Sequence, residues 1–172
     1  MNQHERTRRL AICAVLCALG VVILWLGAVL DILDLTMAAL APVLVIYVVI
    51  EIGGFWPWLV YLVTGLLALL LLPQKLGAVF YLLCTGFYPI IKRWIEGRLP
   101  RFLGLVAKLL VFNLSAGLIL LVAKAFALDL SFEWAPYLVV LFVEFTFLLY
   151  DIVLTRLISL YTFHWRKKFR LK

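Results

Sequence analysis

The sequence predicts an all-α, polytopic membrane protein: six transmembrane helices in one domain, 1–172, with both termini cytoplasmic. Three observations carry this. Hydrophobic residues make up 67% of the 172 residues and charged residues only 15%, whereas an ordinary globular domain is nearer half apolar and a quarter charged. The mean hydropathy is +1.15. The apolar residues also fall in runs near the roughly 20 residues that a helix needs to cross a hydrocarbon core of about 30 Å.

The runs follow in order. "LAICAVLCALGVVILWLGAVL" (10–30) carries no charge, and "DILD" (31–34) ends it. A run this long, with no small-residue cleavage site, reads as a retained first span rather than a signal peptide. A second span covers about 35–51 and is broken by "GGFWPW" (53–58). The third, about 56–72, stops at Pro73, a natural helix terminator. The fourth, about 76–92, contains Tyr88-Pro89 near its end. "KRWIEGRLPR" (92–101) reads as the one long polar connection. The fifth span covers about 102–127. After "LDLSFEW" (128–134), Pro136 fits the first turn of a sixth helix running over about 134–162.

Charge placement sets the orientation. The net charge is +7, and the basic residues cluster in three places. Arg6, Arg8 and Arg9 precede the first span, Lys92, Arg93, Arg98 and Arg101 lie between the fourth and fifth, and Arg166, Lys167, Lys168, Arg170 and Lys172 follow the sixth. Six spans put all three clusters on one side, the cytoplasmic one by the positive-inside rule. The opposite side receives Asp31, Asp34, Asp129 and Glu133, with Lys75 as its basic residue. Flanking basic residues of this kind match anionic lipid rather than nucleic acid. Asp31 and Asp34 read as a solvated acidic turn.

Ionisable groups inside the spans call for partners, because each costs on the order of 3 kcal/mol at mid-membrane. The sixth span carries Glu144, Asp151 and Arg156. Seven residues is nearly two turns, so Glu144 and Asp151 share a face with Tyr137, and Arg156 is rotated away to snorkel toward the headgroups. Lys108 in the fifth span lies at the depth of Asp151, which predicts a structural ion pair, with Glu51 a competing partner. Asn113 lies at the depth of Glu144, and Lys124 near the outer end. With no basic residue at its own depth, Glu144 reads as protonated, facing water or facing a ligand. Cys13, Cys17 and Cys84 read as small apolar filler, and no metal site or cofactor is expected. No activated-serine pattern, zinc-protease motif or phosphate-binding glycine loop occurs, so the chain is not expected to be an enzyme.

"TRRLAICAVLCALGVVILWLG" resembles the first helix of S components, the substrate-capture membrane subunits of energy-coupling-factor (ECF) transporters. The resemblance extends over the whole chain in length and topology. Family members often carry Ala-x-x-x-Ala in the cytoplasmic half of that helix, and Ala14 and Ala18 match it, with Ala11 extending the stripe. The resemblance implies a bacterial cytoplasmic-membrane protein that captures a vitamin-like small molecule at the outer face. It further implies that the alanine stripe docks on a T subunit driven by two ATPases; the same stripe could instead pack inside the chain's own bundle. Depth and chemistry then select Tyr81, Asn113, Lys124, Trp134, Tyr137 and Glu144 as substrate contacts, with Trp134 also suited to an interfacial belt. The first two outer connections are short for the family, and no vitamin-specific motif names the ligand. The alternative is a non-transport scaffold or assembly protein similar to the cell-shape factor MreD, binding other proteins through its helices.

Overall fold

The computed structural model describes residues 3–30, 33–125 and 136–165. They are mostly helical, with no strand among the described residues. The chain divides into two compact units, Met1–Phe126 and Ala127–Lys172. The first holds α1 (Gln3–Leu30), α2 (Asp34–Leu40), α3 (Pro42–Glu51), α4 (Trp56–Leu71), α5 (Leu76–Phe80), a π turn (Tyr81–Thr85), α6 (Tyr88–Arg98) and α7 (Arg101–Ala125). The second holds α8 (Pro136–Leu160) and a closing π turn (Tyr161–Trp165).

Among the described residues, Gln3–Leu30, Asp34–Glu51 and Phe102–Val122 are long and apolar enough to cross a membrane, and Trp56–Leu71 is a shorter apolar helix. Their outward faces remain apolar: Leu66 is 55% exposed, Leu70 78% and Leu114 77%.

Proline opens four of the eight described α-helices. Pro42, Pro57 and Pro89 occupy the first turns of α3, α4 and α6, where a missing N–H costs nothing. Pro136 opens α8, as its position in the sequence suggests. Before Pro73, Leu72 turns extended (φ −75°, ψ 138°) and α4 stops, because a residue preceding proline is pushed out of the helical region. Lys75 then folds back to cap α4, its Nζ donating to the carbonyls of Leu69 at 2.7 Å and Leu72 at 2.5 Å. A cation at the negative end of a helix satisfies carbonyls that have no partner within it.

Two predicted spans are interrupted. Pro42 divides the second into α2 and α3. The fourth winds through the π turn, where the Gly86 N–H donates to the Tyr81 carbonyl five residues back at 2.7 Å, and restarts as α6 at Tyr88. The Tyr61 hydroxyl donates to Leu82 O of this turn at 2.6 Å, and the Thr85 hydroxyl donates at 2.7 Å to Ala38 O of α2, the carbonyl that Pro42, having no N–H, leaves without its helical donor. Helix α6 continues to Arg98, so residues 92–98 are helical and only Leu99 and Pro100 separate α6 from α7. The expectation of a long polar connection over 92–101 is corrected accordingly. An i,i+4 pair, Lys92 with Glu96, supports the added turns.

The core of the first unit joins Cys13, Cys17 and Leu24 of α1 to Ala38, Val45 and Val48 of α2 and α3, Val60, Tyr61 and Ala68 of α4, and Ala78 and Tyr81. Close approach is made at small residues. A Cβ at Gly20 of α1 would lie 2.7 Å from Thr64 Cγ2 of α4. A Cβ at Gly77 of α5 would collide with the Asp34 carboxylate. Asp34 is therefore buried, at 3% exposure, and not part of a solvated turn. Its Cα also lies 3.2 Å from where a Cβ on Gly27 of α1 would sit. The start of α2 thus enters a recess that two glycines leave open. Asp31 lies outside the described residues.

Gly77→Val should fill this recess and lower the stability of detergent-solubilised protein by about 2 kcal/mol, an ordinary overpacking cost. Gly97→Ala, where nothing lies within 4 Å of the added carbon, should be neutral or stabilise α6 by up to about 1 kcal/mol. Denaturant unfolding of the two variants beside the parent measures both.

Candidate functional site

At one end of the first unit, the turn between α3 and α4 meets α6 and the first turns of α7 around a cavity of about 920 Å³. Its walls include Val49, Ile90, Ile91, Ala107 and Val111. Its charged lining is Arg93 and Arg98, with Trp58 and Trp94 beside them. The sequence explains the shape locally. Gly53 and Gly54 both adopt positive φ, 65° and 64°, a left-handed pair that residues with a Cβ rarely occupy. The Gly53 N–H closes the end of α3 by donating to Val48 O at 2.9 Å. The tight turn leaves a lip without side chains where the cavity begins.

Arg93 and Arg98 are held in different ways. The Arg93 guanidinium donates to the Val49 carbonyl, and its Nη1 lies 3.7 Å from where a Cβ on Gly53 would sit. Arg98 stacks on Trp94 with its guanidinium carbon 4.4 Å from the ring centroid. A neutral carbonyl and an aromatic face orient these cations without neutralising them.

Beside the cavity, Glu96 Oε1 accepts from Lys108 Nζ at 2.6 Å and lies 3.2 Å from Lys92 Nζ. The Lys92 side chain is 1% exposed, that of Lys108 11% and that of Glu96 45%. Lys92 also lies over the Tyr88 ring at 5.9 Å. One carboxylate thus bridges α6 and α7 through two lysines. Sequence reasoning missed Glu96 because it was assigned to a loop; the spacing of Lys92 and Glu96 on a continued helix is the signal that could have found it. Comparison with family models, curated proteins and solved structures finds no match to this chain.

The residues proposed from the sequence are distributed as follows. Tyr81 begins the π turn and is buried, 1% exposed, with its ring centroid 6.0 Å from that of Tyr61. Asn113 is on α7, and its Nδ2 donates to Leu109 O at 3.0 Å. Lys124 is on the last turn of α7 and Tyr137 on the first turn of α8, but their side chains lie outside the described residues, as does all of Trp134. Glu144 and Asp151 are on α8, in the second unit, and Lys108 in the first is bonded to Glu96. Ala11, Ala14 and Ala18 are exposed on α1. Cys13, Cys17 and Cys84 are buried free thiols. Among the described residues no group of three or more His, Cys, Asp or Glu is placed to hold a metal ion.

Replacing Glu96 by Gln should leave two ammonium groups facing an uncharged amide. Because Glu96 is nearly half exposed, the cost should be about 2 kcal/mol, below that of breaking a fully buried pair. Lys92→Met in the same chain should restore part of it, which a double-mutant cycle in unfolding free energy reads directly.

Proposed function

We propose that this chain crosses a bacterial cytoplasmic membrane six times with both termini inside, and serves as the substrate-binding subunit of an ECF-type importer. Three long apolar helices and outward-facing leucines such as Leu70 and Leu114 support the membrane part, since soluble proteins rarely expose continuous apolar surface. The observation that carries the subunit reading is the alanine stripe. Ala11, Ala14 and Ala18 are exposed on α1, while Cys13, Cys17, Gly20 and Leu24 on another face of the same helix are buried. Lipid tails provide no hydrophobic drive for helices to associate, so partners in a membrane dock where small side chains let backbones come close. In this reading a T subunit, powered by ATPases, docks on the stripe. In the same reading the chain captures a vitamin-like ligand at its outer face.

A second reading, a membrane scaffold or assembly protein similar to MreD, is favoured by the placement of Tyr81 and of the cavity. Tyr81 is packed in the interior. The cavity opens at the end formed by the α3–α4 and α6–α7 connections, which is the cytoplasmic end in the proposed orientation.

Orientation is tested with single cysteines at Gly97 and Ser131 in a background lacking native cysteines. They should react with impermeant reagent from opposite sides, and labelling of both from outside would end the six-span arrangement. Docking is tested with Ala14→Leu combined with Ala18→Leu. A docking stripe predicts a folded protein that no longer co-purifies with a T subunit or supports uptake; loss of the folded protein itself would place the stripe inside the bundle.

A further inference from the structure

We propose that the cavity between the α3–α4 turn, α6 and α7 is a binding site for one anionic phospholipid. In this site Arg93 and Arg98 hold the headgroup phosphate, and the apolar wall takes an acyl chain. The assignment rests on the membrane-spanning reading above, which brings this end of the first unit to the cytoplasmic headgroup region. The volume, about 920 Å³, is in the range of sites that enclose a small molecule or part of a lipid.

The chemistry of the lining is divided in a way that suits a lipid. Ile90, Ile91, Ala107 and Val111 supply a wall with no charged group, which matches hydrocarbon. Arg93 and Arg98 supply cationic forks at the rim, with a geometry that matches phosphate oxygens. Both are anchored by uncharged groups, Arg93 by a carbonyl and Arg98 by the Trp94 ring. Glu96, the carboxylate on the same helix, is engaged by Lys92 and Lys108. Gly54 adds an open approach, with nothing within 4 Å of where its Cβ would sit. Trp94 is 57% exposed, and an amphipathic ring at this level suits the boundary between headgroups and tails. Basic pockets between helices on the cytoplasmic side are a known means of selecting anionic headgroups. A water-soluble phosphate compound would make no use of the apolar wall, and a zwitterionic lipid would bring its own cation to the two arginines.

The test is lipid retention by the full chain in neutral detergent, read by native mass spectrometry with added phosphatidylglycerol or phosphatidylcholine. The parent should retain phosphatidylglycerol about tenfold better. Arg93→Gln with Arg98→Gln should reduce the preference to about twofold or less, while Lys167→Gln with Lys168→Gln in the C-terminal segment should leave it in place. Ala107→Phe, which fills the apolar part without altering charge, should also weaken phosphatidylglycerol retention. Unfolding temperature checks that each variant is folded; should the double arginine variant fail, Arg98→Gln carries the test, because the exposed Arg98 side chain contacts the surface ring of Trp94.

Equal retention by the parent and the arginine variants would overturn the proposal. So would an equal loss in the Lys167/Lys168 variant, which would mean diffuse attraction to the basic surface, or no effect of Ala107→Phe. Displacement of the lipid by glycerol 3-phosphate at matching concentration would assign the site to a soluble phosphate compound instead. Cysteine labelling at Gly97 reports separately on orientation, so failure of the site and failure of the membrane topology are distinguishable.

Discussion

Close approach at residues without side chains is the constraint on which the first unit depends. Helices such as α1 and α4 carry long apolar stretches on more than one face, so hydrophobicity alone does not decide which face turns inward, and close van der Waals contact has to decide it. Gly20 admits Thr64, Gly65 admits Leu82 and Gly77 admits Asp34. Each of these contacts joins a different pair of segments, and together they fix the rotation of α1, α4 and α5 about their axes. The buried faces follow from that rotation: Leu24, Ala38, Ala68 and Ala78 are fully buried, while leucines of α4 on the far side stay exposed.

Interrupting helices inside an apolar core creates backbone groups that water cannot satisfy, and the interruptions described here come with local remedies. Where the fourth rod passes through its π turn, the Tyr61 hydroxyl bonds the Leu82 carbonyl, and where Pro42 divides the second, the Thr85 hydroxyl bonds the Ala38 carbonyl. Where α4 ends, Lys75 bonds two carbonyls. An unsatisfied polar backbone group in an apolar medium costs several kcal/mol, so these side chains allow the breaks to exist. Tyr61 also touches Tyr81 and Phe87. The break is thus surrounded by rings and lies inside the packed core.

The all-helical class and most helix ends were legible in the sequence, because apolar run length and proline position are local signals. Pro57, Pro73 and Pro136 mark boundaries that the structure reproduces. The errors came where a tertiary contact overrides a local one. Asp34 looks solvated because it sits in an acidic turn; Gly27 and Gly77, which make room for it, are 7 and 43 positions away in the chain. Residues 92–98 look like a loop because they are polar, yet Glu96 finds one lysine on its own helix and another on the next. Composition says where charge is, not which charges meet. The cavity was illegible for the same reason: its lining comes from α3, the Gly53-Gly54 turn, the start of α4, α6 and α7, and no window of sequence contains it.

The two groups of charge near the cavity serve different ends, and their geometry shows how. Lys92, Glu96 and Lys108 satisfy one another, and their value is mechanical: they join α6 to α7 across a two-residue connection. Arg93 and Arg98 are next to this cluster in sequence but are held by a carbonyl and a ring, uncharged groups that fix position. A helix that needed only solubility would gain nothing from stacking Arg98 on Trp94, since a free side chain is better hydrated and keeps its rotamer entropy. Ordering two cations beside an apolar recess is instead preorganisation. On the proposal of a lipid site, it reduces the ordering cost of binding an anion that carries a hydrocarbon tail.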